Sequence, residues 1–333
     1  MTGAPPGPVC LMGAGSVGCF VGGRLAAAGA EVRFVGRPRV LEALAAKGLK
    51  LTDLELPEVN LPAAALQLHA AAPAGAALVL LCVKSGDTAE AARLLAALPA
   101  GTPVLSLQNG IGNAAAGAAA APALTWLAGM VPFNIAELAP GHFHRGTSGR
   151  LAAQDHPALR RWQPLFEAAG LPLTLHGDLA PVQWGKLLLN LNNPVNALSG
   201  LPLRAQLLDR DLRRVFAALQ TEALRVLAAA GIAPAQVAAL PPALMPHVLR
   251  LPDWAFERLA RRMLRIDDQA RSSMADDLAR GRSTEIDALS GAIVRLAHRQ
   301  GLAAPLNQRM VELLSQPKPP VLGGRAMREL LGV

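Results

Sequence analysis

The stretch "PVCLMGAGSVGCFVGGRLAAAGA" (8–30) constrains the fold of this chain more than any other. A short apolar run ends in Gly13-Ala14-Gly15-Ser16-Val17-Gly18, and a helix-forming segment closed by Gly29 follows at once. Strand, glycine turn and helix in that order open an α/β sheet, and each glycine has its own duty. Gly13 permits the tight turn, Gly15 lets a pyrophosphate approach the backbone, and Gly18 lets helix and strand pack closely. The helix N-terminus then presents N–H groups and a positive dipole to phosphates. Such a motif is common by itself, but in this context it predicts dinucleotide binding by Gly13, Ala14, Gly15, Ser16, Val17 and Gly18.

The rest of the N-terminal half continues the pattern. "EVRFVGR" (31–37), "ALVLLCVK" (77–84) and "TPVLSLQNG" (102–110) read as further strands, with helical segments such as 87–98 between them. Strands written as unbroken apolar runs imply a doubly wound, mostly parallel sheet with both faces covered. The Ala/Pro/Gly tracts 61–76 and 114–123 read as surface connections or weak helices. After "LPLTLH" (171–176) strand signals nearly vanish, and long helices are expected over 179–198, 206–231, 253–279, 282–300 and 305–315. The expected architecture is therefore a Rossmann-type domain, 1–177, followed by an all-helical domain, 178–333.

Length and charge narrow the function. A chain of 333 residues buries a large core, and the hydrophobic 52% contains no lipid-facing run of spanning length, so no membrane partner is expected. The apolar beginning lacks the basic leader of a signal peptide, which makes the cytoplasm the expected location. The net charge of +8 suits an anionic ligand, whereas 3% aromatic residues, no Tyr and no dense basic block argue against nucleic acid. Cys10, Cys19 and Cys82 have no metal-binding spacing and read as small core residues.

The polar residues that interrupt apolar segments mark the chemistry. At the end of the second strand Gly36 stands where an NAD enzyme carries a carboxylate, and Arg37 follows; a guanidinium binds a 2′-phosphate with two hydrogen bonds, so NADPH/NADP+ is favoured. Lys84 and Asn109 close two other buried strands, on the side where open α/β sheets bind ligands. In "WGKLLLNLNNPVNALSG" (184–200), Lys186, Asn190 and Asn193 fall within about 60° of one helix face, while leucines cover much of the rest. A lysine there needs a cleft or a partner. Asn192 and Asn196 lie elsewhere around the helix and read as packing or capping residues, and Pro194 requires the helix to kink or end. In "RSSMADDLARGRSTEIDALSG" (271–291), Ser272 and Ser273 begin a helix, Gly281 breaks it, and Ser283 is an N-cap candidate for the next. On its own Glu285 reads as a solvated first-turn carboxylate.

Together "GAGSVG", "CVKSGDT", "LQNGIGN", "WGKLLLNLNNPVNAL", "RSSMADDLARGRSTEID" and "GLAAPLNQRMVELL", in this order and spacing, resemble ketopantoate reductase (2-dehydropantoate 2-reductase) over essentially the whole chain. The resemblance implies a Rossmann domain joined to a helical domain, an active site between them, and NADPH-dependent reduction of a branched 2-oxo acid on the route to pantothenate, in a monomer or homodimer. It makes Lys186 the catalytic acid and Glu285 a substrate-orienting carboxylate that also touches the cofactor. Asn109, Asn190, Asn193 and Ser273 become substrate contacts, Asn109 and Lys84 line the cofactor and active-site cleft, and Arg37 takes the 2′-phosphate. One departure stands out: the family commonly places asparagine eight residues after the lysine, where this chain has Pro194. Either Asn193 takes that role or the amide is missing, which leaves a different 2-oxo acid or an imine as alternative substrates. A non-catalytic NADP(H)-binding sensor of the same fold is the alternative from another class.

Overall fold

The carboxyl ends of parallel strands, where the polar residues of the first half gather, are set by an eight-stranded sheet. In the computed structural model, which describes residues 6–261, 264 and 269–333, the strands are β1 (Val9–Met12), β2 (Val32–Val35), β3 (Leu49–Asp53), β4 (Val59–Leu61), β5 (Gln67–His69), β6 (Leu78–Leu81), β7 (Pro103–Ser106), β8 (Thr125–Met130), β9 (Ile135–Ala139), β10 (His142–Arg145), β11 (Leu151–Gln154) and β12 (Leu173–His176). The large sheet runs β12-β11-β8-β7-β6-β1-β2-β5, and every pair is parallel except β8 with β11. From β1 the chain builds one side through β2 and β5 and then returns to build the other through β6, so the order reverses beside β1.

The helices of this half are α1 (Ser16–Ala27), α2 (Pro38–Lys47), α3 (Thr88–Leu95), α4 (Asn113–Ala120), α5 (Pro157–Arg160) and α6 (Gln163–Ala168). Side chains alternate across the central strands. Val9, Leu11, Leu78 and Leu80 face a core shared with Phe20 and Leu25 of α1 and Phe166 of α6. Cys10, Met12, Val79 and Leu81 face a second core with Ala91, Ala92 and Leu95 of α3. Both faces are buried, which is why these strands are written as unbroken apolar runs. Cys10 and Cys19 lie in these cores and Cys82 is half-buried.

A second sheet, β4-β3-β10-β9, has no counterpart in the sequence expectations, and the tract 61–76, expected as connections or weak helices, also gives the large sheet an edge strand. That stretch holds the end of β4, a 3₁₀ turn at Ala63–Ala65 and the edge strand β5. Arg145 of β10 anchors the small sheet: it is buried, pairs with Asp53 at 2.7 Å and Glu55 at 3.1 Å, and lies 5.1 Å over the Phe133 ring.

The chain divides into two compact units, Met1–Leu179 and Ala180–Val333. The second is helical among its described residues: α7 (Ala180–Asn190), α8 (Asn192–Ser199), α9 (Leu203–Leu208), α10 (Arg210–Ala229), α11 (Met245–Leu249), α12 (Asp253–Leu259), α13 (Ser273–Ala279), α14 (Ile286–Arg299), α15 (Pro305–Leu314) and α16 (Gly324–Leu331). No helix among the described residues is long and apolar enough to cross a membrane.

Several long helices expected from the sequence are divided. The segment 206–231 splits at Asp209, whose carboxylate caps α10 through the N–H of Leu212 (3.0 Å). Buried Arg213 donates to the carbonyls of Leu207 and Leu208, completing the end of α9. The expected helix 253–279 is α12 and α13, with residues 262, 263 and 265–268 between them outside the described residues. Ser283 is not an N-cap; α14 begins at Ile286 with Glu285 in that position.

Candidate active site

The glycine turn is built by backbone contacts. Gly13 has φ +107°, and the N–H groups of Gly13 and Ala14 both donate to the carbonyl of Val35 (2.9 Å each), tying the turn to the end of β2. A Cβ on Gly13 would stand 2.6 Å from the nitrogen of Val83, and one on Gly18 would strike the carbonyl oxygen of Gly13. At Gly15 a Cβ would meet nothing within 4 Å, so open space lies over the turn. Helix α1, whose first turn includes Ser16, Val17 and Gly18, has neither a side-chain cap nor an acidic residue there. Its leading N–H groups are thus presented toward an anion, and the cradle fits the diphosphate of a dinucleotide.

The neighbouring position repels a side chain. A Cβ at Gly36 would lie 2.7 Å from the Cβ of Ala14, so the carboxylate typical of NAD enzymes has no room to begin here. Arg37 follows as the N-cap residue of α2, with its side chain 71% exposed and 3.3 Å from Asp87.

Lys84 and Asn109 are brought together by a network that sequence reasoning missed. Gln108, buried at the end of β7, donates to the carbonyl of Val83 (3.0 Å), the carbonyl of Lys84 (3.4 Å) and Oγ1 of Thr88 (2.8 Å), and accepts from Ser106 Oγ (2.9 Å). The carbonyl of Asn109 accepts from Ser85 Oγ (2.9 Å) and Asn113 Nδ2 (2.8 Å). Two strand ends are thereby stitched into one rim. The one sequence signal was a glutamine ending an otherwise apolar strand, "VLSLQNG".

In the second unit α7 ends at Asn190, Leu191 forms a turn, and α8 starts at Asn192. Pro194 stands in the first turn of α8, where its missing N–H is tolerated, so the helix restarts there. Lys186 is half-buried on α7, and burial pushes its ammonium down from the ordinary lysine value to about 8. Asn190 is buried in the last turn of α7 and Asn193 is half-buried on α8. The single stripe expected from the sequence is therefore shared by two helices. On the other side of α7, Ala235 donates its N–H to the carbonyl of Pro181 (2.8 Å), and its own carbonyl occupies the space that a side chain at Gly185 would need.

The other two asparagines hold the frame. Asn192 and Gln206 exchange amide hydrogen bonds of 3.0 and 3.1 Å in the core. Asn196 donates to the carbonyl of Leu201 and accepts from the N–H of Ser272 (2.9 Å each). Ser272 caps α13 through the N–H of Ala275 (3.1 Å), and its Oγ donates to the carbonyl of Asn193 (3.5 Å). Asn193 and Ser273 are thus neighbours through Ser272, and Ser273 is exposed at the first position of α13. Beyond it, Gly281 turns the chain with φ +62°, and half-buried Glu285 opens α14. Truncation of Asn192 leaves the Gln206 amide buried and unmatched. Asn192→Ala is therefore expected to cost about 1–3 kcal/mol of stability in a denaturant titration.

A glycine cradle at the switch point of a doubly wound sheet marks a dinucleotide-binding protein of the Rossmann type. The family model described as "Ketopantoate reductase PanE/ApbA" matches residues 9–158, and the model of the family's C-terminal part matches residues 178–318. The chain belongs to the ketopantoate reductase family, whose enzymes work with a nicotinamide cofactor. A curated relative from Halobacterium salinarum named 2-dehydropantoate 2-reductase is 31% identical, with 92% of this chain and 97% of the relative aligned. The crystal structure of a PanE/ApbA family ketopantoate reductase from Ralstonia eutropha superposes with a TM-score of 0.76 at 29% identity, covering 98% of this chain and 100% of the other. A ternary structure of D-mandelate dehydrogenase with NADH and anilino(oxo)acetate, 21% identical, shares the fold with a TM-score of 0.74 and covers 98% of this chain and 100% of the other.

Proposed function

We propose that this chain reduces 2-dehydropantoate to pantoate with NADPH, in the cytoplasm, as a monomer or homodimer, and serves pantothenate biosynthesis. The names of the curated relatives support the substrate. The observation that carries the chemistry is the placement of Lys186, half-buried on a helix that ends in Asn190, where burial lowers its ammonium to about 8. In this reading residues 1–177 hold most of the cofactor, and residues 178–333 carry the acid and most of the substrate contacts.

The turn Gly13–Gly18 holds the diphosphate, Arg37 the 2′-phosphate, and Lys84, Asn109 and Glu285 further parts of the cofactor. The bound nicotinamide supplies a hydride. Lys186 places its ammonium at the carbonyl oxygen and gives its proton to the oxygen that becomes a hydroxyl. Charge grows on that oxygen during the reaction, so the ammonium stabilises the transition state more than the ground state. Ser273 binds the substrate carboxylate, Asn190, Asn193 and Asn109 hold the substrate's polar groups, and Glu285 orients its distal hydroxyl or Lys186.

NADPH consumption with ketopantoate, set beside pyruvate and 2-oxoisovalerate, tests the reading; a preference for either simpler acid would overturn it. The substitution of proline at position 194 supports a second reading, reduction of a different 2-oxo acid, and the same panel decides between them. Cofactor choice is tested separately. Arg37→Ala should weaken NADPH binding by roughly 1.5–3 kcal/mol, the value of a charge-assisted contact, and leave NADH nearly unchanged. Equal losses for both would remove Arg37 from the 2′-phosphate.

A further inference from the structure

Asp87, inside "CVKSGDT", takes no part in the function described above, yet its carboxylate lies over the cofactor crevice. In the sheet β1 sits between β2 and β6. Arg37 follows β2 and Asp87 follows β6, so their 3.3 Å ion pair reaches across the carboxyl end of β1, where the glycine turn and the open space over Gly15 lie. This is the switch point at which open α/β sheets receive a dinucleotide.

Asp87 also declines the local role that its position offers. It is the N-cap residue of α3, where an aspartate ordinarily accepts the N–H of the second or third helical residue. Here the side chain makes no cap bond and is directed to Arg37 instead. Its backbone is fixed: the N–H of Asp87 donates to the carbonyl of Lys84 (2.8 Å), and Thr88 Oγ1 donates to the carbonyl of Ser85 (2.8 Å). The neighbouring cation Arg39 is engaged elsewhere, 3.6 Å from Glu137.

We propose that Asp87 is a specificity-determining counter-ion that competes with the 2′-phosphate of NADP(H) for Arg37 and keeps affinity for phosphorylated dinucleotides below what Arg37 alone would give. The proposal rests on the reading that Arg37 receives the 2′-phosphate. Both partners are solvent-exposed, 71% and 47% of their side chains, so the pair is weak and opens readily. A phosphate dianion takes the guanidinium bidentately, and the displaced carboxylate then stands beside it as a like charge. A cofactor without that phosphate leaves the pair intact, so Asp87 acts on NADP(H) and not on NAD(H).

Calorimetric titration of the full chain with NADP+, NAD+ and 2′,5′-ADP tests this in the wild type, Asp87→Asn, Arg37→Ala and the double variant. Asparagine is an equally good N-cap residue, so α3 keeps its start, and Asp87→Ser provides a second uncharged cap with the same expectation. Asp87→Asn should tighten NADP+ and 2′,5′-ADP by about three- to fivefold and change NAD+ by less than about twofold. The gain should shrink as salt is raised and fall in the Arg37→Ala background, where only the direct repulsion between carboxylate and phosphate remains. If Arg37→Ala weakens NADP+ while neither Asp87 variant tightens it, or if NAD+ tightens equally, the role of Asp87 is refuted and the role of Arg37 stands. If Arg37→Ala leaves NADP+ binding unchanged, the 2′-phosphate reading itself falls and the proposal with it.

Discussion

Lys186→Ala is expected to lower kcat for oxo-acid reduction by about a thousandfold while changing the cofactor Kd by less than about twofold. The loss falls on kcat because the proton and the positive charge are needed at an oxygen that becomes negative only as the reaction proceeds. The pH profile carries the same information. Burial lowers Lys186 to about 8, and only the protonated form donates. In the reduction direction kcat/KM should therefore hold its full value at lower pH and decline as pH rises through about 8. Oxidation of the hydroxy acid needs the neutral amine and should rise over the same interval. Stopped-flow measurement in both directions checks the sign. Near-normal turnover by Lys186→Ala, or profiles without opposite slopes, would remove Lys186 from the chemistry.

The second large effect belongs to Gly13. A side chain there must adopt φ +107° and enter the space of the Val83 nitrogen, so Gly13→Ala should cost about 3 kcal/mol or more in urea unfolding and abolish dinucleotide binding. Gly15→Ala provides the contrast. Its Cβ meets no protein atom within 4 Å, so stability should hold, while the added methyl stands where the backbone must approach the cofactor. An isothermal binding titration should show affinity reduced at least tenfold, an estimate of roughly 1.4 kcal/mol for the lost approach. Equal behaviour of the two variants would mean that the turn is not organised as described.

What could be read in the sequence follows from how local the causes are. The turn at Gly13–Gly18 and the strands β1, β2, β6 and β7 were legible because backbone conformation and two-sided burial both leave marks within a few residues. The helix interruption was legible for the same reason, since Pro194 removes a donor whatever surrounds it. The second sheet was not. Its strand β4 is three residues long and only partly buried, and its anchor joins Arg145 to Asp53, far apart in the chain. The division of 206–231 at Asp209 depends on a buried Arg213 that completes α9, a tertiary cause with no periodic signature. The angular positions of Asn192 and Asn196 indicated packing, and their bonds to Gln206, Leu201 and Ser272 supply the partners that the sequence could not name. Gln108 was visible only as an oddity at the end of an apolar strand.

The interruption at Leu191 has a mechanical consequence as well. An unbroken helix would make every amide between Lys186 and Gly200 answer to one axis, so a change at any of them would tilt the others. With two helices, Asn192 and Asn196 secure α8 from within through Gln206, Leu201 and Ser272, while Asn193 remains half-buried beside Ser272. The joint at Leu191, with Pro194 in the first turn of α8, thus carries Lys186 and Asn193 on separate helices rather than on one rigid rod.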